Sequence, residues 1–113
     1  MFAADELARE ACKECLRERY DAELAFDERA FFYLPLMHSE DIADQRQSAG
    51  LFQAMVEQAP RALKDDGEYY LDFAKRHQAI VERFGRFPHR NEILGRATTA
   101  DEAAFLKEPG SSF

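Results

Sequence analysis

The stretch EYYLDFAKRHQAIVERFG, residues 68–85, decides the fold class of this chain. Its apolar side chains recur every three or four residues, which is the spacing of one face of an α-helix. The positions predicted to face inward are Tyr70, Phe73, Ala74, His77, Ile80, Val81 and Phe84. Gly85 follows them, and glycine commonly ends helices because it adopts the left-handed conformation easily. The stretch therefore predicts a helix over 68–84 with a histidine on its buried face.

The same periodicity continues outward in both directions and predicts an all-α chain. Further helices are expected over the approximate ranges 5–20, 27–38, 39–59 and 99–107. Residues 60–67 are polar and predict a surface connection, whereas 86–96 predict a compact turn-rich segment. Short connections favour antiparallel helix pairs, which would suit a right-handed stack. The chain length predicts one domain, 1–113.

Side chains that accept hydrogen bonds from free backbone N–H groups mark the expected helix starts. We expect caps at Asp27, Ser39, Asn91 and Thr99. Thr99 and Glu102 also have the spacing of a capping box. Pro35 lacks a backbone donor and should end or kink the helix over 27–38. That helix is apolar on almost every side, which predicts deep burial.

Two other helices carry apolar stripes. The stripe of the first helix comprises Leu7, Ala8, Ala11, Cys12, Cys15, Leu16 and Tyr20. The stripe of the helix over 39–59 comprises Ile42, Ala49, Phe52, Val56 and Ala59. Cys12 and Cys15 are too few for a zinc site, so we interpret them as small buried apolar residues. The tail, 111–113, is predicted to be frayed.

The charge of the chain limits its partners. Its net charge is −7, which repels nucleic acid and anionic membranes. Residues 1–50 have a net charge of −6, whereas residues 73–96 have a net charge of +4, so one region can attract an anion. No apolar run reaches the length of a membrane span, and no signal peptide is evident. We therefore expect a cytoplasmic protein that binds neither nucleic acid nor membrane.

All three histidines lie in two polar and aromatic blocks, FFYLPLMHSEDIADQ at 31–45 and HQAIVERFGRFPHRNEILGR at 77–96. One hypothesis is a zinc, iron or nickel site formed by His38, Glu40, Asp41 and His77. No histidine pair has the spacing of ligands on one helix face, so we expect no metal and no cofactor. In the structural alternative, a buried His77 forms a hydrogen bond with a carboxylate or carbonyl of residues 38–45.

The second block also suggests an anion site. Arginine presents a planar fork of donors that matches phosphate or carboxylate, and a helix start would add backbone N–H groups. The candidate residues are Arg86, His89, Arg90, Asn91 and Arg96. In the structural alternative, the arginines pair with Glu40, Asp41 and Asp44 and tie two helices together. Both interpretations can hold, because a paired arginine can retain donors for a ligand.

These two blocks, followed by T-x-x-E-x-x-FL at 99–106, resemble the bacterial family called domain of unknown function 924. The resemblance spans about 2–113. It implies a tetratricopeptide-like helical superhelix and no established activity. Members of that family carry an N-terminal portion with a Trp-containing opening and an L-L-D-Q-F-x-R-N block. The chain is therefore expected to be the C-terminal part of such a protein, and the absent helices would leave an apolar surface exposed.

Three functional hypotheses follow. The first is a binding module for a protein or peptide, with self-association as a further possibility, on a concave polar surface. The residues expected to form or support it are His38, Glu40, Asp41, His77, Arg86, His89, Arg90 and Asn91. The second is an enzyme or sensor that holds a small anion with the same residues. The third is a purely structural role for both blocks. The sequence assigns no catalytic residue.

Overall fold

The computed structural model of the chain describes residues 2–18 and 25–111, with side chains from residue 6 onward. The regular structure in these ranges is helical, which confirms the all-α prediction. The helices are α1 (Phe2–Arg17), α2 (Phe26–Met37), α3 (Ile42–Gln58), α4 (Lys64–Phe84), α5 (Asn91–Leu94) and α6 (Ala100–Leu106). Single 3-10 turns at Arg61–Leu63 and Pro88–Arg90 precede α4 and α5.

The main core lies between α2, α3 and α4. α3 and α4 make the most extensive contact, α2 packs on α3, and α1 packs on α2, with antiparallel packing of the helices as predicted. The buried residues of this core are Ala30, Tyr33, Met37, Phe52, Met55, Leu71 and Ala74. A second cluster, at the end of α4, is formed by Ile80, Val81 and Phe87 with Ile42, Phe84 and Phe105 around it. This cluster fixes the segment after α4 against the start of α3.

The predicted surface connection over 60–67 is wrong in its second half, because α4 begins at Lys64. Gly67 is buried inside α4, where an added Cβ atom would lie 3.3 Å from both Phe26 and Val56. The glycine therefore permits close helix packing instead of breaking the helix. The predicted end of this helix is confirmed, since Gly85 is left-handed with φ of 73°.

Three predicted N-caps are wrong. α2 starts after Ala25, whose N–H donates to the Glu28 side chain at 3.1 Å, so Asp27 lies in the first turn. α3 is capped by Asp41, which accepts from the Ala43 N–H at 2.8 Å, and not by Ser39.

Asn91 is the first residue of α5, and its side chain is buried and bonded elsewhere. The capping box of Thr99 and Glu102 is confirmed. Pro35 does not end α2, which continues to Met37.

The predicted burial of three helices needs correction. Phe31 on α2 is 76% exposed and Leu7 on α1 is 73% exposed, because no described element covers these faces. Ala8 and Ala11 are exposed too, whereas Cys12 is buried as expected. The buried face of α3 holds polar residues that the apolar stripe did not include: Asp44, Gln45 and Ser48. Tyr20 lies outside the described residues.

The end of the described chain is held in place. Ser111 is buried and its hydroxyl donates to the Leu106 carbonyl at 3.1 Å, so the predicted fraying is wrong at this residue, while 112–113 lie outside the described residues. Within the described part of the chain, no helix is long and apolar enough to cross a membrane.

Candidate functional site

A cavity of about 530 Å³ opens between α1, α2 and the residues that join α2 to α3. One wall is apolar and comes mainly from α2, whereas the rim is polar. The lining residues are Glu6, Ala8, Arg9, Phe31, Leu34, Pro35, His38, Ser39, Glu40, Asp41 and Arg90. This volume lies within the range of small-molecule and peptide sites. We refer to it below as the α2 cavity.

The side of the α2 cavity formed by α1 is fixed by Asp44. Asp44 is buried on α3 and accepts from the Arg9 guanidinium, from Lys13 at 2.9 Å and from the Ser39 hydroxyl at 2.7 Å. Burial alone would raise the pKa of Asp44, but these hydrogen bonds outweigh burial and lower the pKa. Asp44 therefore stays ionised near neutral pH and anchors α1 to α3.

The opposite side of the α2 cavity is fixed by Glu40. Its carboxylate accepts two hydrogen bonds from Arg96, at 2.8 and 3.0 Å, and one from the Phe87 N–H at 2.6 Å. Arg96 also donates to the Phe87 carbonyl at 3.2 Å. Burial alone would raise the pKa of Glu40, but the bonds from Arg96 and Phe87 outweigh it and lower the pKa. This network, the Glu40 network, ties the start of α3 to the segment after α4.

Arg86 is used in a separate ion pair. Its guanidinium donates to both carboxylate oxygens of Glu102, at 2.8 and 2.7 Å, and to the Ala97 carbonyl at 2.7 Å. The bonds from Arg86, with those from Thr99, lower the pKa of Glu102 to about 2. Arg86 therefore attaches α6 to the end of α4 and does not line the α2 cavity.

The three histidines are connected by a series of ring contacts that begins with His38 at the α2 cavity. The ring centres of His38 and His77 are 5.8 Å apart, and His77 and His89 lie 5.5 and 5.7 Å from the Phe87 ring. The Arg90 guanidinium covers the same Phe87 ring, 4.7 Å from its centre. His38 is exposed to the cavity, whereas His77 is buried.

His77 forms a hydrogen bond between Nδ1 and the Phe73 carbonyl of its own helix, at 2.7 Å. Burial lowers the pKa of His77 to about 4, and the nearby His38, His89 and Arg90 act in the same direction. Burial also lowers the pKa of His89. Both imidazoles are therefore neutral at neutral pH, which suits a packing role behind the cavity.

Of the eight predicted site residues, the structure brings four together at the α2 cavity: His38, Glu40, Asp41 and Arg90. His77 is buried against His38 and Phe87, and His89 contacts Phe87, but neither lines the cavity. Asn91 is buried and accepts from Arg96 at 3.1 Å, and Arg86 pairs with Glu102. Within the described residues, no three metal-ligating side chains are grouped so that they could hold an ion.

The sequence pattern does not reveal the contributions of α1 and α2 to the cavity. It places Ala8 in a buried stripe and predicts deep burial for the helix that carries Phe31. The apolarity of α2 on most sides predicts burial, so the sequence offers no signal for this exposed apolar wall. Arg9 also pairs with Asp44 across 35 residues, a contact without any local signature.

The profile of the family described as "Bacterial protein of unknown function (DUF924)" matches residues 1–110. The chain is a member of this family. Among solved structures, the DUF924 chain is similar to a protein of unknown function, ATU0120, from Agrobacterium tumefaciens. The two share 45% sequence identity with a TM-score of 0.81. No curated protein matches the chain.

The match to ATU0120 covers 95% of this DUF924 chain and 55% of ATU0120. The chain thus spans about half the length of the solved structure that it matches. The family has no known function, so the role of the cavity has to be inferred from its own chemistry.

Proposed function

We propose that the chain is a polypeptide-binding module and that the α2 cavity receives the bound segment. The observation that supports this most directly is the combination, in one open cavity, of an apolar wall and a hydrogen-bonding rim. Phe31, Leu34 and Pro35 form the wall. A peptide presents the matching combination, since an apolar side chain lies between backbone N–H and C=O groups that need partners.

The rim favours a polypeptide over a ligand with one sign of charge. Side chains of both signs line the same cavity, with Arg9, His38 and Arg90 beside Glu6 and Asp41, and Arg9 already pairs with Glu6 and Asp44. A small anion would meet the carboxylates as well as the guanidinium groups. A peptide backbone is neutral and carries both donors and acceptors, so it can satisfy both kinds of rim group.

The experiment is a titration of the protein into fluorescent, end-blocked peptides of about eight residues with one central residue varied. We expect saturable binding when the central residue is Leu or Phe. We expect weaker binding when it is Ser or Asp, since the wall of the cavity is apolar. The proposal would be contradicted if all the peptides bound with equal affinity, or if none of them bound.

The matched variants are Ala8→Glu and Ala11→Glu. Both alanines are exposed on α1, but only Ala8 lines the α2 cavity. We expect Ala8→Glu to raise the peptide dissociation constant by at least about tenfold, which corresponds to about 1.4 kcal/mol. Ala11→Glu should leave it within about twofold. Similar effects of both changes would place binding elsewhere.

A second candidate function is a small-anion sensor or enzyme, and it is favoured by one observation. Arg90 and His38 line the same cavity, so a donor fork and an imidazole face one ligand. The test is a thermal melt with inorganic phosphate or sulfate. An anion whose concentration is about one hundred times its dissociation constant should raise the free energy of unfolding by roughly 2.7 kcal/mol. A shift that Arg90→Gln abolishes, without any peptide binding, would favour this candidate over the first.

Three finer statements about the chain belong to the same proposal. We propose that α1 to α4 form a tetratricopeptide-like right-handed stack, for which the antiparallel packing of successive helices is the support. We also propose that the chain corresponds to the C-terminal part of the longer family fold, and that it acts in the cytoplasm. The match covers 55% of ATU0120, which is the observation behind a family fold longer than this chain.

A further inference from the structure

Three imidazoles form one cluster with Phe87, and they differ in their access to water. His38 lines the α2 cavity and is exposed, whereas His77 is buried and His89 is half-buried. The His77 ring centre is 5.8 Å from that of His38 and 5.5 Å from that of Phe87, and His89 lies 5.7 Å from Phe87. A charged imidazole needs water or an opposite charge around it, so a proton added to this cluster is held best at His38.

The positive charge beside the cluster acts in the same direction. The Arg90 guanidinium lies 4.7 Å from the centre of the Phe87 ring, and it opposes a charge on His77, as do the two other imidazoles. Burial lowers the pKa of His77 to about 4 and also lowers the pKa of His89. Proton exchange by the cluster near neutral pH is therefore concentrated at His38, the histidine that faces the ligand.

The carboxylates around His38 are already bound to cationic groups. Three of them line the α2 cavity: Glu6, Glu40 and Asp41. Glu40 pairs with Arg96 at 2.8 Å, whereas Glu6 and Asp41 lie 2.9 and 3.7 Å from Arg9. The buried Asp44 of α3 binds Arg9 and Lys13. Water in the open cavity is therefore an important stabiliser of a charged His38.

His38 also lies next to the apolar wall of the cavity. It follows Leu34 by one helical turn, and its backbone N–H donates to the Leu34 carbonyl at 2.9 Å. Side chains four residues apart are neighbours on one face of a helix. An apolar side chain that packs against Phe31, Leu34 and Pro35 therefore removes water from the His38 imidazole as well.

We propose that a polypeptide bound in the α2 cavity displaces a proton from His38, so that the cavity releases its ligand as the pH falls. This inference rests on the proposed function, since it describes how the same site is regulated. The neutral imidazole tolerates the loss of water and can still exchange a hydrogen bond with a peptide group, whereas the charged imidazole is disfavoured without its water. The displaced proton passes to the solvent.

The direction of the pH effect follows from the protons bound in each state. As the pH falls, the free protein takes up a proton at His38 more readily than the complex does, so the free protein is favoured. Histidine side chains ordinarily titrate between about pH 5 and 8. Affinity is therefore complete at the upper end of this range and decreases toward the lower end, by at most about tenfold per pH unit for one proton.

The experiment is a fluorescence titration of the end-blocked, leucine-centred peptide, made without ionisable side chains, at about pH 7.5 and about pH 5.5. We expect the dissociation constant to be at least about threefold larger at the lower pH. His38→Gln should remove most of this difference, since glutamine forms hydrogen bonds but does not titrate. His89→Gln is the matched control and should retain the difference, because His89 does not line the cavity. Circular dichroism at both pH values shows whether each variant is folded.

Calorimetric titrations at about pH 6, in two buffers with different ionisation enthalpies, count the protons directly. We expect the wild-type protein to release protons when the peptide binds, and His38→Gln to release almost none. An affinity independent of pH, or a pH dependence that His38→Gln leaves intact, would overturn the inference while leaving the proposed function standing. If the peptide bound at neither pH, both would be overturned.

Discussion

Glu40 joins segments that are far apart in the sequence. Its carboxylate binds the N–H of Phe87, 47 residues away, and the guanidinium of Arg96, 56 residues away. Hydrogen bonds to a charged acceptor are stronger than neutral ones, and an N–H group left without its acceptor costs free energy. Glu40 is therefore a structural residue at the edge of the α2 cavity, although its carboxylate also belongs to the lining.

Replacing Glu40 by Gln should reduce the free energy of unfolding by roughly 1 to 3 kcal/mol. The amide removes the charge that Arg96 pairs with and offers only one oxygen in place of two. Urea unfolding at neutral pH measures the change, with Glu92→Gln as control, since Glu92 is exposed on α5. A loss no larger than that of Glu92→Gln would contradict the structural role.

His77 should make stability depend on pH. Burial lowers its pKa to about 4, whereas an unfolded histidine titrates near 6.5. Between these values the unfolded chain binds more protons than the folded chain, so stability is complete above about pH 6.5 and is lost as the pH falls toward 4. From about pH 7 to about pH 5 this histidine should account for a loss of roughly 2 kcal/mol.

The variant His77→Gln isolates this effect, because glutamine has a similar volume and does not titrate. Urea unfolding of both proteins across that pH range should show a smaller decrease for the variant. The carboxylates and His89 contribute equally to both proteins, so they cancel in the comparison. Parallel pH profiles for the two proteins would show that His77 is not the titrating group.

The elements of the fold were largely predictable because periodicity and end signals are local. The helix face of α4, the left-handed Gly85 and the capping box of Thr99 all depend on residues within one or two turns. The errors have a different origin. The N-cap of α2 is Ala25, whose N–H donates to Glu28, and α3 is capped by Asp41 instead of Ser39. Several carboxyl and hydroxyl acceptors lie within a few residues of each helix start, and local sequence does not rank them.

Two glycines inside helices should respond in opposite directions to substitution. Gly50 in α3 has open space where a Cβ atom would be, so Gly50→Ala should stabilise the protein by roughly 0.5 to 1 kcal/mol through helix propensity. Gly67 in α4 lies against Phe26 and Val56, so Gly67→Leu should separate α4 from α2 and α3. We expect a loss of roughly 1 to 3 kcal/mol.

Thermal and urea unfolding of Gly50→Ala and Gly67→Leu measure the two changes in the free energy of unfolding. A stabilising Gly67→Leu would mean that the helices are not packed closely at this position. A destabilising Gly50→Ala would mean that this face of α3 is covered.

At the scale of the molecule, opposite charges that are separated in sequence come together. The acidic first half and the basic region over 73–96 meet where Glu40 binds Arg96. Asp44 is instead neutralised by Arg9 and Lys13 of α1. The basic region is thus partly neutralised within the fold, and the prediction that its arginines would pair with these carboxylates holds for Arg96 and Glu40 but not for Arg86.

The α2 cavity itself could not be predicted from the sequence. Its lining combines residues of α1 and α2, the residues before α3 and Arg90. The cavity therefore depends on the distance between α1 and α2 in the folded chain, which no local pattern encodes. Four polar residues of the lining, His38, Glu40, Asp41 and Arg90, were among the sequence candidates, whereas Glu6 and Arg9 were not. The sequence did not identify the apolar wall, because an apolar residue such as Phe31 is normally buried in a globular protein.

The most direct test of polypeptide binding in the α2 cavity is NMR of the three histidine imidazoles during titration with the leucine-centred peptide. His38 lines the cavity, whereas His77 is buried behind it and His89 lies beyond Phe87. We predict that the His38 resonance moves saturably, with much smaller changes at the other two, and that Ala8→Glu abolishes the movement. A peptide that binds while the His38 resonance stays in place would contradict binding in this cavity.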